Sequence, residues 1–163
     1  MNYTIRKMDK KDISGVQQVA KTSWHHTYAG IIPFDIQENF LNMAYNDERL
    51  QRRLELSHMF VAVSEGKIVG FANYSPLKED ATAELSAIYL YPEYQGFGIG
   101  TSLLHEGIKL LNGVKEIYIN VERDNKSGRD FYHAKGFTIV SEFDDNFDGH
   151  ILKTVRMVLK VSS

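Results

Sequence analysis

The chain has 163 residues, 25% of them charged and 43% hydrophobic, with a formal net charge of −2. This length and composition predict one globular domain over residues 1–163, and they exclude a disordered chain or a strongly basic binder of nucleic acid or of anionic membranes. The absence of cysteine excludes disulfides, thiolate zinc sites and cysteine nucleophiles, and it fits a reducing, cytoplasmic environment.

The first third of the chain predicts one strand followed by helices. Residues 1–11 are polar and mixed in charge, so we expect no signal peptide there, and no apolar run is long enough to span a bilayer. Asp12 is placed to cap the first helix, and Asn46 or Asp47 to cap the third. The predicted elements are a strand at 3–7, helices at 12–24, 33–43 and 47–56, and a loop or broken helix end at 22–33.

After residue 58 the apolar residues follow a strand pattern. Glu65 and Gly66 separate two apolar runs and predict a hairpin turn. An acidic segment, 144–149, is expected as the loop between the last two strands. The predicted elements are strands at 59–64, 67–75, 83–91, 116–121, 137–143 and 150–161, and helices at 101–111 and 126–135. This order predicts a mixed α/β (α+β) fold with a mostly antiparallel central sheet flanked by helices.

A glycine-rich turn leads from the third of these strands into a helix. It runs from Gln95 to Thr101, with glycine at positions 96, 98 and 100. A ligand can approach this backbone closely, and the N–H groups and dipole of the helix start favour an anion. The turn therefore predicts main-chain binding of a phosphate or pyrophosphate, with a ligand-free tight connection as the alternative. It matches neither the Walker nor the Rossmann pattern, because no lysine follows Gly100 and the glycine spacing differs.

The same turn carries a family resemblance. Gln95, Gly98 and Gly100, after a strand that ends in Tyr-Pro-Glu-Tyr, resemble the acyl-CoA-binding turn of the GCN5-related N-acetyltransferase (GNAT) family, whose pattern is Arg/Gln-x-x-Gly-x-Gly/Ala. The predicted order of strands and helices is also similar to that family's topology. The resemblance implies an acyl-CoA N-acyltransferase fold over nearly the whole chain.

A second segment resembles another motif of the family. Asn125 is followed by Phe-Tyr at 131–132 and by Gly-Phe at 136–137, in the order and at the spacing that the family shows. The family often has alanine where this chain has Gly128 or Arg129, which is a minor departure. Two motifs in the family's order make the resemblance much more specific than either motif alone.

The resemblance implies acetyl-CoA as the co-substrate. In the family the strand before the turn bulges and splays from the next strand, the pantetheine arm pairs with it, and a main-chain N–H near Leu90 polarises the thioester carbonyl. The alternative role for Asn125 is a cap of the following helix, and the alternative for Lys135 is a solvated lysine at the helix end. The cofactor-binding residues expected from the resemblance are Ile88, Tyr89, Leu90, Gln95, Gly96, Phe97, Gly98, Ile99, Gly100, Thr101, Asn125, Tyr132 and Lys135.

The resemblance also supplies two catalytic candidates. Tyr132 is expected to act as the general acid that protonates the departing CoA thiolate, the alternative being an aromatic side chain that only fills space. Glu84 is expected to act as the general base that deprotonates the amine, or as a carboxylate that binds it. An exposed carboxylate at a strand edge is the alternative for Glu84.

The acceptor side is expected after the first helix. Trp24, His25 and Tyr28, together with Glu84, are the candidate substrate-binding residues, with a core tryptophan and exposed histidines as the alternative. No metal site is expected, since no third ligand has convincing spacing. If the acidic segment 144–149 faces the acceptor pocket, it would attract polycationic amines, whereas such charge runs are usually solvated.

The predicted function is direct transfer of the acetyl group of acetyl-CoA to an amine, a small cationic amine such as a polyamine being favoured. The alternatives are a non-catalytic acyl-CoA-binding or sensing module on the same fold, and a protein N-acetyltransferase. With no cysteine in the chain, no acyl-enzyme on a thiol is available, so transfer should be direct. The expected partner is a small-molecule amine, with a homodimer possible and with neither nucleic acid nor membrane.

Overall fold

The computed structural model describes residues 1–161, and within them the chain forms seven strands and five helices. The last two residues of the predicted domain 1–163 lie outside the described residues. The strands are Thr4–Lys7 (β1), His58–Ser64 (β2), Lys67–Tyr74 (β3), Thr82–Leu90 (β4), Glu116–Glu122 (β5), Thr138–Phe147 (β6) and His150–Lys160 (β7). The helices are Ile13–Tyr28 (α1), Phe34–Ala44 (α2), Asp47–Leu56 (α3), Ile99–Leu110 (α4) and Lys126–Ala134 (α5).

All seven strands belong to one sheet, in the order β1-β2-β3-β4-β5-β7-β6. Neighbouring strands are antiparallel except β4 and β5, which are parallel. Helix α1 packs mainly against β3 and β4, and α4 packs against β2 and β3. The mixed, mostly antiparallel sheet with flanking helices confirms the predicted fold class. None of the helices within 1–161 combines the length and the apolar character needed to cross a bilayer.

Helix α1 differs from its prediction at both ends. Asp12 makes no capping hydrogen bond to it, because its carboxylate accepts two hydrogen bonds from the Arg6 guanidinium at 2.7 and 2.9 Å. The predicted loop or broken helix end at 22–33 is wrong as far as Tyr28, where the helix ends. Trp24 and Tyr28 are both buried, and their packing continues the helix up to the break at Gly30.

Local turn and cap signals were more reliable. The side chain of Asn46 accepts a hydrogen bond from the N–H of Arg49 at 2.8 Å, which confirms a cap at the start of α3. Glu65 and Gly66 form the turn between β2 and β3, both with positive φ, as a tight hairpin turn requires.

Strands β4 and β5 separate after a short paired section. They pair only from Thr82 to Glu84 on the β4 side. On the other edge of β4, the register with β3 shifts between the Tyr74–Leu85 and Asn73–Ala87 pairs, which leaves Ser86 as the extra residue of a bulge. The bulge and the missing pairs open a gap between the second half of β4 and β5.

The acidic segment 144–149 is mostly strand, so the prediction of a loop there is wrong. Asp144 to Phe147 continue β6 and pair with β7, and only Asp148 and Gly149 form the turn. Lys153 forms an ion pair with Asp144 at 2.7 Å across the two strands. The ring of Phe147 lies 5.1 Å from that of Phe40, so the hairpin end folds onto α2.

Candidate active site

A cleft of about 510 Å³ occupies the gap between β4 and β5. Its walls come from the second half of β4, the glycine turn that starts α4, the end of β5, helix α5 and one face of α1. Most residues expected to bind cofactor line it, namely Ile88, Tyr89, Leu90, Gln95, Gly96, Gly98, Ile99, Gly100, Thr101, Asn125, Tyr132 and Lys135. Phe97 does not line the cleft, and its side chain is 51% exposed.

The glycine turn presents its backbone to the cleft. Gly96 and Gly98 have φ values of +85° and +86°, which only glycine adopts without strain. Tyr3 holds the turn from behind, because its hydroxyl lies 2.7 Å from Ser102 Oγ and donates to the carbonyl of Gly98 at 3.3 Å. Gly98 is the N-cap residue of α4 and has no side chain that could cap it. The N–H groups of the first helical turn, whose residues line the cleft, are therefore without a partner in the helix. This arrangement fits a bound anion.

Strand β4 offers free backbone groups along the edge that faces β5. The N–H of Tyr91 donates to the carbonyl of Val69 on β3 at 3.0 Å. Because backbone groups alternate along a strand, those of Ile88 and Leu90 are directed away from β3 and into the gap. No strand pairs with this edge of β4 beyond Glu84 within residues 1–161, so an extended ligand segment can bind there.

The ring of Tyr132 stands at the cleft wall between two other aromatic rings. Its centroid lies 5.5 Å from that of Phe131 and 5.4 Å from that of Phe137, both in edge-on geometry. Burial raises the pKa of the Tyr132 phenol, and the neighbouring Tyr28 raises it further. The hydroxyl is therefore protonated at neutral pH and can donate a proton or a hydrogen bond.

Asn125 caps α5 and lines the cleft at the same time. Its Oδ1 accepts a hydrogen bond from the N–H of Gly128 at 3.0 Å. A Cβ atom at position 128 would lie 2.6 Å from Asn125 Nδ2. Gly128 therefore gives the Asn125 amide room to fold over the helix start.

We expect Gly128→Ala to weaken acetyl-CoA binding although alanine is the better helix former. The added methyl group displaces the Asn125 amide. Loss of one hydrogen bond between this amide and acetyl-CoA, about 0.5–1.5 kcal/mol, corresponds to roughly 2-fold to 10-fold in Kd. Titration calorimetry measures this. If the effect runs through Asn125, Gly128→Ala adds no loss in an Asn125→Ala background, whereas equal losses in both backgrounds would contradict the explanation.

Helix α1 lines the part of the cleft where the acceptor is expected. Ser23, Thr27 and Tyr28 line it from this helix. Burial raises the pKa of Tyr28 to about 12, the polar groups of Tyr89 and Asn125 lower it, and the nearby Glu122 carboxylate raises it. Tyr28 is thus the candidate acceptor residue that the structure brings to the cleft.

Trp24 and His25 do not line the cleft. Trp24 is buried and stacks on Phe40 at 4.4 Å, which agrees with the reading of a core residue. Both ring nitrogens of His25 are engaged with α2, at 2.9 Å from Gln37 Oε1 and 3.0 Å from Glu38 Oε1. These contacts fix α2 to α1 and leave the imidazole no free nitrogen for a substrate.

Glu84 lies at the last position of β4 that pairs with β5, and its carboxylate is bound by Arg156. The two terminal guanidinium nitrogens, Nη1 and Nη2, donate to Oε1 and Oε2 of this carboxylate, each at 2.9 Å. Arg156 also donates to Asn120 Oδ1 at 3.0 Å, and Asn120 lines the cleft whereas Glu84 does not. A carboxylate with both oxygens in a bidentate ion pair is poorly suited to accept a proton. The geometry therefore favours a structural ion pair over the expected general base.

Several cleft residues escaped the sequence analysis. Ser86 is the bulge residue, and Asn120 and Val121 come from β5, whose separation from β4 depends on pairing between distant segments. Phe131 could have been found from its place beside Tyr132 in the second motif. No cluster of three or more His, Asp or Glu side chains that could hold a metal ion occurs within residues 1–161.

Comparisons with known proteins agree with this geometry. A family model described as "Acetyltransferase (GNAT) family" matches residues 23–137. The chain is 32% identical over 147 residues to the spermidine N(1)-acetyltransferase of Thermoplasma acidophilum, covering 85% of this chain and 90% of the relative. It is 36% identical over 151 residues to the N-acetyltransferase YuaI of Bacillus subtilis, covering 89% and 84%.

Solved structures give the same result. The crystal structure of the PaiA N-acetyltransferase from Thermoplasma acidophilum in complex with coenzyme A superposes with a TM-score of 0.85 at 29% identity, covering 99% of this chain and 100% of that one. A GCN5-related N-acetyltransferase from Rhodopseudomonas palustris, at 21% identity and a TM-score of 0.81 over 99% of this chain and 97% of that one, has the same fold. With both sequence motifs on the walls of one cleft and a family match over most of its length, the chain belongs to the GNAT family of acetyltransferases.

Proposed function

We propose that this acetyltransferase transfers the acetyl group of acetyl-CoA directly to the amino group of a small cationic amine, such as a polyamine. The cleft itself is the observation that supports acetyl-CoA as the acetyl donor. It combines an anion-binding helix start with an unpaired strand edge and a neutral phenol. The structural relative crystallised with coenzyme A supports the same donor.

The residues of the cleft fit acetyl-CoA in two sections. The N–H groups of the turn around Gly96, Gly98 and Gly100 would hold the pyrophosphate, and Lys135 at the cleft wall would approach a phosphate. The free backbone groups of Ile88 and Leu90 would pair with the pantetheine amides as an added strand does. When bound, acetyl-CoA supplies an activated acyl group and a thiol leaving group.

Two groups of the chain would then act on the reacting atoms. The N–H of Leu90 can donate a hydrogen bond to the thioester carbonyl oxygen, where negative charge develops during attack. The Tyr132 hydroxyl can protonate the departing sulfur, since burial keeps the phenol neutral. Much of the rate enhancement would come from holding the amine and the thioester together.

A cationic acceptor is supported by the charges on the face of the sheet that carries α1 and α2. Glu122 pairs with Thr154, which pairs with Phe143, so the three side chains share one face. Asp145 and Phe147 follow on the same face of β6, and Phe147 contacts α2. Glu122 and Asp145 thus add two carboxylates to this face beyond the Glu84–Arg156 ion pair, which is neutral, and neither of the two lines the cleft. The relative named for spermidine acetylation agrees with such an acceptor.

Release of CoA thiol tests the proposal. The protein is incubated with acetyl-CoA and a panel of spermidine, spermine, putrescine, an aminoglycoside, free amino acids and peptides with alanine or serine N-termini. We expect fastest release with a polyamine. Preference for the peptides would favour the protein N-acetyltransferase, and tight CoA binding without release for any amine would favour a non-catalytic acyl-CoA-binding module. A homodimer and a cytoplasmic location stay predictions from the sequence.

A further inference from the structure

Asn120 places a polar side chain on the cleft wall although it belongs to neither sequence motif. The last pair between β4 and β5 is Glu84 with Tyr118, and Asn120 follows two residues later on β5. It therefore lies just beyond the point where the two strands separate, and it lines the cleft together with the apolar Val121. The Asn120 amide is thus the polar side-chain group that β5 offers to a ligand in the gap.

Arg156 fixes the direction of this amide. It is the neighbour of Asn120 on β7, and its Nη1 donates to Asn120 Oδ1 at 3.0 Å. The same guanidinium is anchored on β4 by its two hydrogen bonds to Glu84, and it lies over the Tyr118 ring of β5 at 4.6 Å. A guanidinium can only donate, so the amide oxygen must face Arg156 and the amide nitrogen, Nδ2, must point elsewhere. Nδ2 has no hydrogen-bond partner within residues 1–161.

The chemistry of a free amide nitrogen indicates which ligand it fits. Its N–H groups donate to an oxygen such as that of a carbonyl, whereas a protonated amine has only donors to offer. Of the two substrates proposed for the cleft, acetyl-CoA carries carbonyl oxygens, in the amides of its pantetheine arm and in its thioester. The free Nδ2 of Asn120 therefore fits the acyl-pantetheine arm and not a cationic amine.

We propose that Asn120 binds a carbonyl oxygen of the acyl-pantetheine arm through Nδ2, and that Arg156 is the positioning residue that holds the amide in this orientation. The inference rests on acetyl-CoA as the donor in the proposed function. It gives the Glu84–Arg156 ion pair a part in binding, because the carboxylate anchors the guanidinium that orients Asn120. An amide fixed before the ligand arrives does not lose rotational freedom on binding, which favours affinity.

Asn120→Asp separates binding from structure. Aspartate keeps the oxygen that accepts from Arg156 and replaces only Nδ2, so a purely structural contact would survive the change. We expect calorimetry to show a Kd for acetyl-CoA raised by about 2-fold to 10-fold, the effect of one lost hydrogen bond. The Kd for 3′-phospho-ADP, the nucleotide part of CoA without the pantetheine arm, should not change. Asn112→Asp, which adds the same charge at an exposed position outside the cleft, is the matched control and should bind as wild type.

Titration with free CoA identifies the carbonyl. An equal loss for CoA and acetyl-CoA would assign the bond to a pantetheine amide, and a loss for acetyl-CoA alone would assign it to the thioester. Arg156→Lys tests the positioning role, because an ammonium group lacks the fork that reaches Glu84 and Asn120 together. It should weaken acetyl-CoA binding in the wild type and add no further loss in an Asn120→Ala background. A full further loss in that background would overturn the role of Arg156.

The outcomes separate this inference from the proposed function. A wild-type Kd for acetyl-CoA in Asn120→Asp, or an equal loss for 3′-phospho-ADP, would overturn the binding role of Asn120 and leave acetyl transfer intact. A wild-type protein that binds neither CoA nor acetyl-CoA would overturn both. If Asn120→Asp does not unfold cooperatively, Asn120→Ala takes its place, and a loss confined to ligands with the pantetheine arm then supports the proposal.

Discussion

Tyr132→Phe should lower kcat by about 10²-fold to 10⁴-fold, the range for loss of a positioned general acid, with little effect on the Kd for acetyl-CoA. The phenyl ring keeps the edge-on contacts with Phe131 and Phe137, so the cleft wall stays in place. Only the proton for the departing sulfur is lost. Turnover by thiol release and binding by calorimetry measure the two quantities on the same preparation.

The activity of the wild type should depend on pH through the protonation of the Tyr132 phenol. Because the pKa of Tyr132 is raised by burial, the phenol stays protonated beyond the usual range of tyrosine, and the wild type should keep its activity well into alkaline pH. Tyr118→Phe is the matched control, since Tyr118 is a half-buried tyrosine on β5 that does not line the cleft. A Tyr132→Phe variant with wild-type kcat at every pH would remove Tyr132 from the reaction.

The parts of the fold that the sequence predicted well are those set by neighbours in the chain. The hairpin turn at Glu65 and Gly66 and the Asn46 cap each depend on a few consecutive residues. The end of α1 and the length of β6 depend on distant partners. Trp24 stacks on Phe40, and Asp144 of β6 pairs with Lys153 of β7, so local polarity and aromatic content pointed to loops at both places.

The site divides in the same way. The glycine turn and the segment around Asn125 are contiguous motifs, and the structure brings both to one cleft. The partners of Glu84 and the surroundings of Glu122 are not contiguous. Arg156 lies 72 residues from Glu84, and the buried Glu122 carboxylate raises the pKa of Tyr28, which comes from a helix near the start of the chain. Residues that are neighbours in the sequence do not indicate which of two strand carboxylates is paired with a cation.

Gly98→Val is expected to raise the Kd for acetyl-CoA by about 10-fold to 100-fold, because hydrogen bonds to a charged group contribute about 1.5–3 kcal/mol and 1.4 kcal/mol is a factor of ten. Gly98 has φ +86°, so a β-branched side chain there strains the backbone whose N–H groups would hold a phosphate, and its Cβ would lie 3.7 Å from the Tyr3 hydroxyl behind the turn. Calorimetric titration with CoA measures the change without requiring an acceptor amine.

Gly113→Val separates strain from binding, because it imposes the same backbone conflict elsewhere. Gly113 has φ +87° with open space around its Cβ position, and it does not line the cleft. Each variant should lose about 1–2 kcal/mol of unfolding free energy, the cost of a left-handed residue with a side chain. Only Gly98→Val should also lose affinity. Equal weakening of CoA binding in both variants would mean that global strain explains the loss, and the turn would then have no direct part in holding the pyrophosphate.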